Sequence, residues 1–198
     1  MSIERLKESA ERQLTPDRWR HTLGVAETAV RLAQKYGADA AKAEIAAILH
    51  DYCKCWPREK QADVLRSHPE LPQDLLEYDA ELWHAHVGAW VVENELGVRD
   101  ADVLNAIRWH TSGRIGMTLL EKIVCLADYI EPGRRFPGVD DIRRLAESDL
   151  DRALVAGFDA TIRFLLDRGK KIYPLTVMSR NALLGEILGK EGIDGRYG

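Results

Sequence analysis

The chain has 198 residues, of which 45% are hydrophobic and 30% are charged, and this composition is typical of one globular domain with a sizeable core. The formal net charge of −4 argues against a protein that binds nucleic acid or acidic membranes through general positive charge. No apolar run approaches the ~20 residues of a membrane span, and the charged, amphipathic start of the sequence is not a secretory signal. We therefore expect a cytoplasmic protein with no nucleic-acid or membrane partner.

The cysteine content also fits a reducing compartment. Cys53, Cys55 and Cys125 are an odd, low number and predict no disulfide framework. Cys53 and Cys55 follow His50 closely and invite a zinc interpretation. Structural zinc sites, however, usually space their cysteines by about two to four residues and need a full tetrahedral set of ligands. We therefore interpret the three cysteines as packing residues.

Caps and apolar spacing predict two helices before residue 38. The first covers residues 3–14. The second begins at the N-cap Thr15 with Pro16 in its first position, and it ends at Gly37.

The second helix places a histidine at the edge of its apolar face. We expect that face to contain Trp19, Leu23, Ala26, Val30 and Ala33. His21 falls on its edge, and Arg18 lies one turn earlier on the same side. Such a histidine can reach into a cleft, although it can equally be an ordinary part of the core edge.

The stretch AEIAAILHDYCK, residues 43–54, delivers a histidine and an aspartate side by side to the end of an apolar helix. Asp39 caps this helix, which we expect to end around Lys54. The imidazole of His50 and the carboxylate of Asp51 are both ligands for divalent metals, and the carbonyl end of a helix favours a cation. A His-Asp pair alone is weak evidence, so the rest of the chain must support it.

Two further helices are predicted at residues 58–67 and 79–97. In the second, His84 and Gly88 lie on one line, so the glycine leaves open space beside the histidine. A small residue there would also suit close helix packing. His86 points to a different face, and its role stays open.

A helix that begins at Asp100 ends at His110 and is followed by Thr111-Ser112-Gly113-Arg114. Hydroxyls, free amides and an arginine suit phosphate oxygens. An ordinary helix end followed by a flexible turn has the same composition.

A capping box, Thr118 to Glu121, opens a helix that contains Asp128 within an almost continuous apolar run. A carboxylate in a buried helix needs a cation or hydrogen-bond donors, and we favour a metal over a structural ion pair. The basic turn at residues 132–138, with Arg134 and an aromatic residue, suits a phosphate and a base.

The end of the chain is also helical in its pattern. A long helix at residues 149–168 is closed by Gly169, and the last helix runs from about Leu175 to Leu188. No convincing strand is present. We predict one all-α domain over residues 1–189 and a flexible tail at residues 190–198.

The polar residues in apolar settings occur in the order His21, His50-Asp51, His84, His110, Asp128. This order resembles the HD-domain superfamily of metal-dependent phosphohydrolases, which are helical bundles. Residues 18–22, 50–54, 82–89 and 107–150 are more closely similar to the YqeK family of symmetrical dinucleoside-tetraphosphate hydrolases, which cut diadenosine tetraphosphate into two ADP. His86 stands where that family's motif has a proline.

The resemblance implies a site residue by residue. Its metal ligands would be His21, His50, Asp51 and Asp128, holding one divalent or trivalent ion, iron in the first place, with manganese or another divalent ion as the alternative. Asp51, His84 and His110 would be catalytic, with a protonated histidine assisting the leaving group. The substrate would contact Arg18, His21, Asp51, His84, His110, Thr111, Asp128, Arg134, Lys170, Lys171, Ile172 and Tyr173. The resemblance also implies a dinucleoside polyphosphate substrate, an ADP- or GDP-like product, and a homodimer.

Two other functions would suit the same residues. The first is an HD-type hydrolase of a mononucleotide, a deoxynucleotide or a guanosine tetraphosphate alarmone. The second is a non-catalytic nucleotide sensor with a structural metal. The products of diadenosine tetraphosphate distinguish the first from the YqeK activity, and tight ADP binding without turnover would indicate the second.

Overall fold

Helices carry the whole fold in the computed structural model, which describes residues 2–194 and the side chains of residues 2–190. In chain order they are α1 (Ile3–Gln13), α2 (Pro16–Tyr36), α3 (Ala40–Leu49), α4 (Arg58–Ser67), α5 (Trp83–Asn94), α6 (Ala101–Trp109), α7 (Leu119–Ile130), α8 (Val139–Leu145), α9 (Leu150–Asp167) and α10 (Pro174–Asp194). Two short 3-10 helices, Gln73–Glu77 and Ala80–Leu82, precede α5. Residues 2–194 contain no strand, so the predicted all-α class is confirmed.

The bundle is centred on α7, which packs against α2, α3, α6, α8 and α9. On the other side, α3 also contacts α1, α2 and α6, while α10 packs on α9. The buried apolar side chains form one continuous cluster, with Leu32, Ile48, Ile123, Leu126 and Leu154 fully buried. This single core supports the single-domain prediction. None of the described helices combines the length and the apolar character needed to cross a membrane.

The predicted caps have their expected hydrogen bonds. Thr15 accepts from the backbone N–H of Arg18 at 3.3 Å, and both bonds of the Thr118–Glu121 capping box are present. Gly37 ends α2 with φ of +79°, a left-handed conformation that glycine adopts without a steric penalty. Local side-chain chemistry therefore sets these boundaries.

Several predicted boundaries were wrong. α3 ends at Leu49 and not near Lys54, because residues 50–55 form tight turns with N–H to O=C bonds three residues back, such as Lys54 N to Asp51 O at 2.8 Å. The helix predicted at 79–97 is shorter, since α5 covers only Trp83–Asn94. The helix α8 was not predicted.

The C-terminal boundary was also wrong. α10 continues to Asp194, because its glycines weaken a helix without requiring it to end. Of the tail predicted at 190–198, residues 190–194 are therefore helical, and residues 195–198 lie outside the described part of the chain.

The buried face of α2 differs from the predicted one. Leu23 is 37% exposed, whereas Val25, Ala29 and Leu32 are completely buried. α2 packs against both α3 and α7, and two neighbours bury a wider, rotated face than a single apolar arc predicts. The side chain of His21 remains near the edge of that face, with 11% exposure.

We expect Gly157→Ala on α9 to lower the free energy of unfolding by about 1–3 kcal/mol. An added Cβ would lie 2.9 Å from a ring carbon of Tyr129 on α7, and that ring is held by a 2.8 Å hydrogen bond to Thr161. The control Gly185→Ala has no atom within 4 Å of its Cβ and should gain about 0.5–1 kcal/mol. Urea denaturation measures both, and equal stability of the two variants would contradict this packing.

Candidate active site

Six polar side chains from five helices converge at one place. The six residues are His21, His50, Asp51, His84, His110 and Asp128. His21 lies in the second turn of α2, and His50 and Asp51 lie in the turn after α3. His84 lies at the start of α5, His110 at the end of α6 and Asp128 in the last turn of α7. Ring centroids lie 5.7 Å apart for His21 and His50, and 4.9 Å apart for His50 and His110. Residues more than a hundred positions apart in the chain therefore form one cluster.

The carboxylate of Asp51 lies at the centre of this cluster. Its Oδ2 is 3.3 Å from His50 Nε2 and 3.8 Å from His21 Nε2. Its Oδ1 is 3.0 Å from His84 Nε2 and 3.9 Å from His110 Nε2. One nearly buried carboxylate thus faces four imidazoles.

The histidine rings are oriented as metal ligands. Nδ1 of His50 donates to the carbonyl of Ala47 at 2.6 Å, and Nδ1 of His21 donates to Glu131 at 3.0 Å. Each Nε2 therefore keeps its lone pair, and both Nε2 atoms are buried without a hydrogen-bond partner. Asp128 Oδ1 lies 3.0 Å from His21 Nε2. Imidazole nitrogen and carboxylate oxygen are the donor set that divalent metals accept, so these residues fit such an ion.

The possible ligand positions overlap. Three groups of described side chains bring one ligand atom each to within 4.8 Å of one another: His21, His50 and Asp51; His50, His110 and Asp128; Asp51, His84 and His110. The four expected ligands are spread over the first two groups, which share His50. The third group contains the two histidines that the resemblance assigns to the substrate.

Two arginines neutralise the carboxylates. Arg18 Nη1 is 3.1 Å from Asp51 Oδ2. Arg134 Nη2 pairs with the Asp128 carboxylate, and Arg134 Nε donates to the Asp128 backbone carbonyl at 2.7 Å. Burial alone would raise the pKa of Asp128, but the charge of Arg134 holds it well below its usual value. Burial also opposes ionisation of Asp51, yet His50 and His84 keep its pKa low. Both groups are therefore anionic near neutral pH and attract a cation.

A cavity of about 740 Å³ opens over the cluster, a size typical of sites for small ligands. Most of the residues expected to bind substrate line it: Arg18, Asp51, His84, His110, Thr111, Asp128, Arg134, Lys170, Lys171 and Tyr173. Ile172 is not part of the lining. His21 lines a second, neighbouring cavity of about 560 Å³.

Comparison with known proteins identifies the fold. A family model described as HD domain matches residues 18–133, more than half of the chain and the whole stretch from His21 to Asp128. This chain belongs to the HD domain family. The helical bundle inferred from the resemblance is therefore confirmed.

Several full-length relatives of this HD domain are known. The symmetrical bis(5′-nucleosyl)-tetraphosphatase of Bacillus subtilis is 49% identical and covers 93% of this chain and 98% of its own length. The protein of the same name from Staphylococcus aureus is 43% identical and covers 89% of this chain and 92% of its own. A crystal structure of a predicted HD superfamily hydrolase involved in NAD metabolism, from Clostridium acetobutylicum, has a TM-score of 0.88 and 41% identity, and it covers 94% of this chain and 98% of that one. These relatives confirm the resemblance to the symmetrical tetraphosphatases.

The HD domain keeps His84 and His110 neutral near pH 7. Burial and the charge of Lys54 lower the pKa of His84, while burial and His50 lower the pKa of His110 well below its usual value. The expected protonated histidine is therefore not the resting form. The two Nε2 atoms lie 3.1 Å apart, and His110 Nδ1 donates to the Ile107 carbonyl. The His84 N–H is then the donor that can turn towards a phosphoryl oxygen.

Glu131 was not identified as a site residue from the sequence. It is 4% exposed and accepts from His21 Nδ1 and, at 2.5 Å, from the backbone N–H of Gly133. A Cβ on Gly24 would lie 2.7 Å from one Glu131 oxygen, and a Cβ on Gly133 would lie 2.8 Å from the other. Two glycines thus make room for a carboxylate that orients a candidate metal ligand. The signal was its position three residues after Asp128, on the same side of the helix end.

Lys54 was also missed as a site residue. Its Nζ forms a 2.7 Å ion pair with Glu81 and lies 3.5 Å from His84 Nδ1. It lines the larger cavity, so a positive charge stands directly behind the His84 ring. Its place four residues after His50 was the available signal.

His86 and the cysteines take no part in the ligand groups found among the described residues. His86 is buried, packs edge-on against Trp109 with ring centroids 4.8 Å apart, and burial lowers its pKa to about 3. Cys53 and Cys125 are buried, as the packing interpretation requires, but Cys55 is exposed. The packing interpretation was therefore wrong for Cys55.

We expect Glu131→Gln to weaken metal binding about 10- to 100-fold. His21 Nδ1 and Gly133 N–H bond to different oxygens of Glu131, and in glutamine one of those positions becomes an NH2 group that cannot accept. Isothermal titration with a divalent metal measures the affinity. The control Glu147→Gln changes an exposed carboxylate that pairs with Arg31 and Lys35. Equal affinity in the two variants would show that Glu131 does not support the ligand.

Proposed function

We propose that this chain is a symmetrical bis(5′-nucleosyl)-tetraphosphatase. It adds one water across the central phosphoanhydride bridge of diadenosine tetraphosphate and releases two ADP. The observation that carries the proposal is the pair of buried, unpartnered Nε2 atoms of His21 and His50 facing two anionic carboxylates. The cavity over these atoms is of a size that suits a nucleotide, and the chain is 49% identical to a protein with this name. Both observations support the same substrate class.

The proposed metal ligands are His21, His50, Asp51 and Asp128, and the proposed ion is iron. Four protein ligands leave open positions only when the ion is six-coordinate, which favours iron or manganese over tetrahedral zinc. Manganese or another divalent ion stays the alternative. The ion supplies Lewis acidity towards water and towards a phosphoryl oxygen.

The protein side chains provide the remaining chemistry. Asp51, central and anionic, accepts a proton from the attacking water. The neutral His84 donates a hydrogen bond from its Nε2 to the phosphate that leaves and keeps its proton, and the charge of Lys54 lies behind the ring. Before the substrate binds, His110 Nε2 accepts this same N–H and so orients the His84 ring.

Substrate positioning falls to the residues around the cluster. Arg18 and Arg134 hold phosphate oxygens next to the carboxylates that they already neutralise. The hydroxyl of Thr111 is buried without a hydrogen-bond partner and is free to donate. The segment 170–173, including Ile172, would hold one nucleoside.

The homodimer and the cytoplasmic location expected from the sequence belong to this proposal as well. Light scattering of the purified chain measures its mass and so tests the homodimer. A mass of one chain at micromolar concentration would contradict it.

We expect the purified, metal-loaded chain to convert diadenosine tetraphosphate into ADP as the sole nucleotide product. Chromatography of a substrate panel tests this, with mononucleotides, deoxynucleotides and guanosine tetraphosphate as the other substrates. ATP together with AMP as the products would contradict symmetrical cleavage. Faster turnover of another panel member would assign the site to that substrate, and tight ADP binding without any turnover would indicate a sensor.

A further inference from the structure

The proposed substrate has two identical halves, whereas the two sides of the site in this chain are lined by different residues. Cleavage at the central bridge places the middle phosphates at the metal ligands, so one nucleoside diphosphate must extend away on each side. The segment 170–173 accounts for only one of these halves. We propose that the smaller cavity beside His21 binds the second nucleoside diphosphate and that Arg135 is the cation that holds it. This inference rests on the proposed function.

The two cavities flank the cluster and share a border. Both are lined by Arg18, Arg134 and Phe136. The larger one, of about 740 Å³, contains the carboxylates of Asp51 and Asp128, and the smaller one, of about 560 Å³, contains His21. A polyphosphate that crosses the two shared arginines passes over the candidate ligands from one cavity to the other.

The turn that carries Arg135 is firmly held. Arg143 on α8 donates to the carbonyls of Ile130, Glu131 and Arg134 at 3.0, 2.7 and 3.1 Å. The Gly133 N–H bonds to the Glu131 carboxylate, and Arg134 bonds to Asp128. These contacts fix two consecutive arginines. Arg134 pairs with Asp128 of the cluster, while Arg135 lines the smaller of these two cavities and not the larger.

The charge balance in the smaller cavity singles out Arg135. Its neighbours Arg18 and Arg134 already pair with Asp51 and Asp128. The acids of this cavity are also engaged, since Asp17 pairs with Arg20 and Glu131 with His21.

Arg135 itself donates Nη1 to the carbonyls of Pro132 and Arg134 at 2.6 and 2.9 Å. Among residues 2–190 it has no acidic partner. Its remaining donors suit the anionic diphosphate of a nucleotide.

Another location for the second half lies along α9. Arg163 likewise has no acidic partner among the described side chains, and Phe164 beside it is 50% exposed. Both line the larger cavity, together with Lys170, Lys171 and Tyr173. Two nucleosides would then crowd into one cavity on the same side of the cluster, so we favour the smaller cavity.

Kinetics of single variants test the assignment. Arg135→Ala should raise the KM for diadenosine tetraphosphate about 10-fold, the usual scale for losing a charge-assisted hydrogen bond. We assign free ADP to the larger cavity, which is lined by Lys170 and Lys171, so the competitive inhibition constant of ADP should stay within about twofold. Arg135→Lys should recover part of the KM. The matched control is Arg144→Ala, a change at an exposed arginine of α8 that pairs with Asp141, and it should leave both constants unchanged.

Three outcomes would overturn the assignment. The first is an unchanged KM in Arg135→Ala. The second is a parallel rise in KM and in the inhibition constant of ADP, which would show that Arg135 contacts the nucleoside diphosphate in the larger cavity. The third is a KM effect in Arg163→Ala without one in Arg135→Ala, which would move the second half to α9. A wild-type chain with no turnover would instead overturn the proposed function, and this inference with it.

Discussion

The carboxylate of Asp51 is the constraint on which the rest of the site depends. It is 2% exposed and lies within 4 Å of four imidazoles and of Arg18. A buried charge is costly unless cations or donors surround it. The ends of α2, α3, α5 and α6 meet around it, so this part of the bundle is arranged around one anion.

A second layer of contacts holds the site in place. Glu131 orients His21, backbone carbonyls orient His50 and His110, and Lys54 stands behind His84. Such contacts fix the tautomer and direction of each ring. They also link the cluster to the rigid turn after α7, which carries Arg134 and Arg135 towards the two cavities. The same fold thus serves ligand geometry and substrate orientation.

The sequence predicted features that depend on local chemistry. The Thr15 and Thr118 caps and the glycine end of α2 were identified because their hydrogen bonds involve near neighbours. Polar residues in apolar runs, such as Asp128, indicated the cluster because burial would otherwise be unfavourable. The turns after Leu49, the exposed Leu23 and the role of Glu131 were missed. The last two depend on tertiary contacts that spacing along one helix does not contain, and the turns after Leu49 depend on local backbone hydrogen bonds that apolar spacing does not reveal.

Anomalous diffraction from crystals loaded with the native metal tests the central claim most directly. We predict an ion about 2.0–2.3 Å from Nε2 of His21, Nε2 of His50 and carboxylate oxygens of Asp51 and Asp128. An ion held only by Asp51, His84 and His110, or one bound at Cys53 and Cys55, would contradict it.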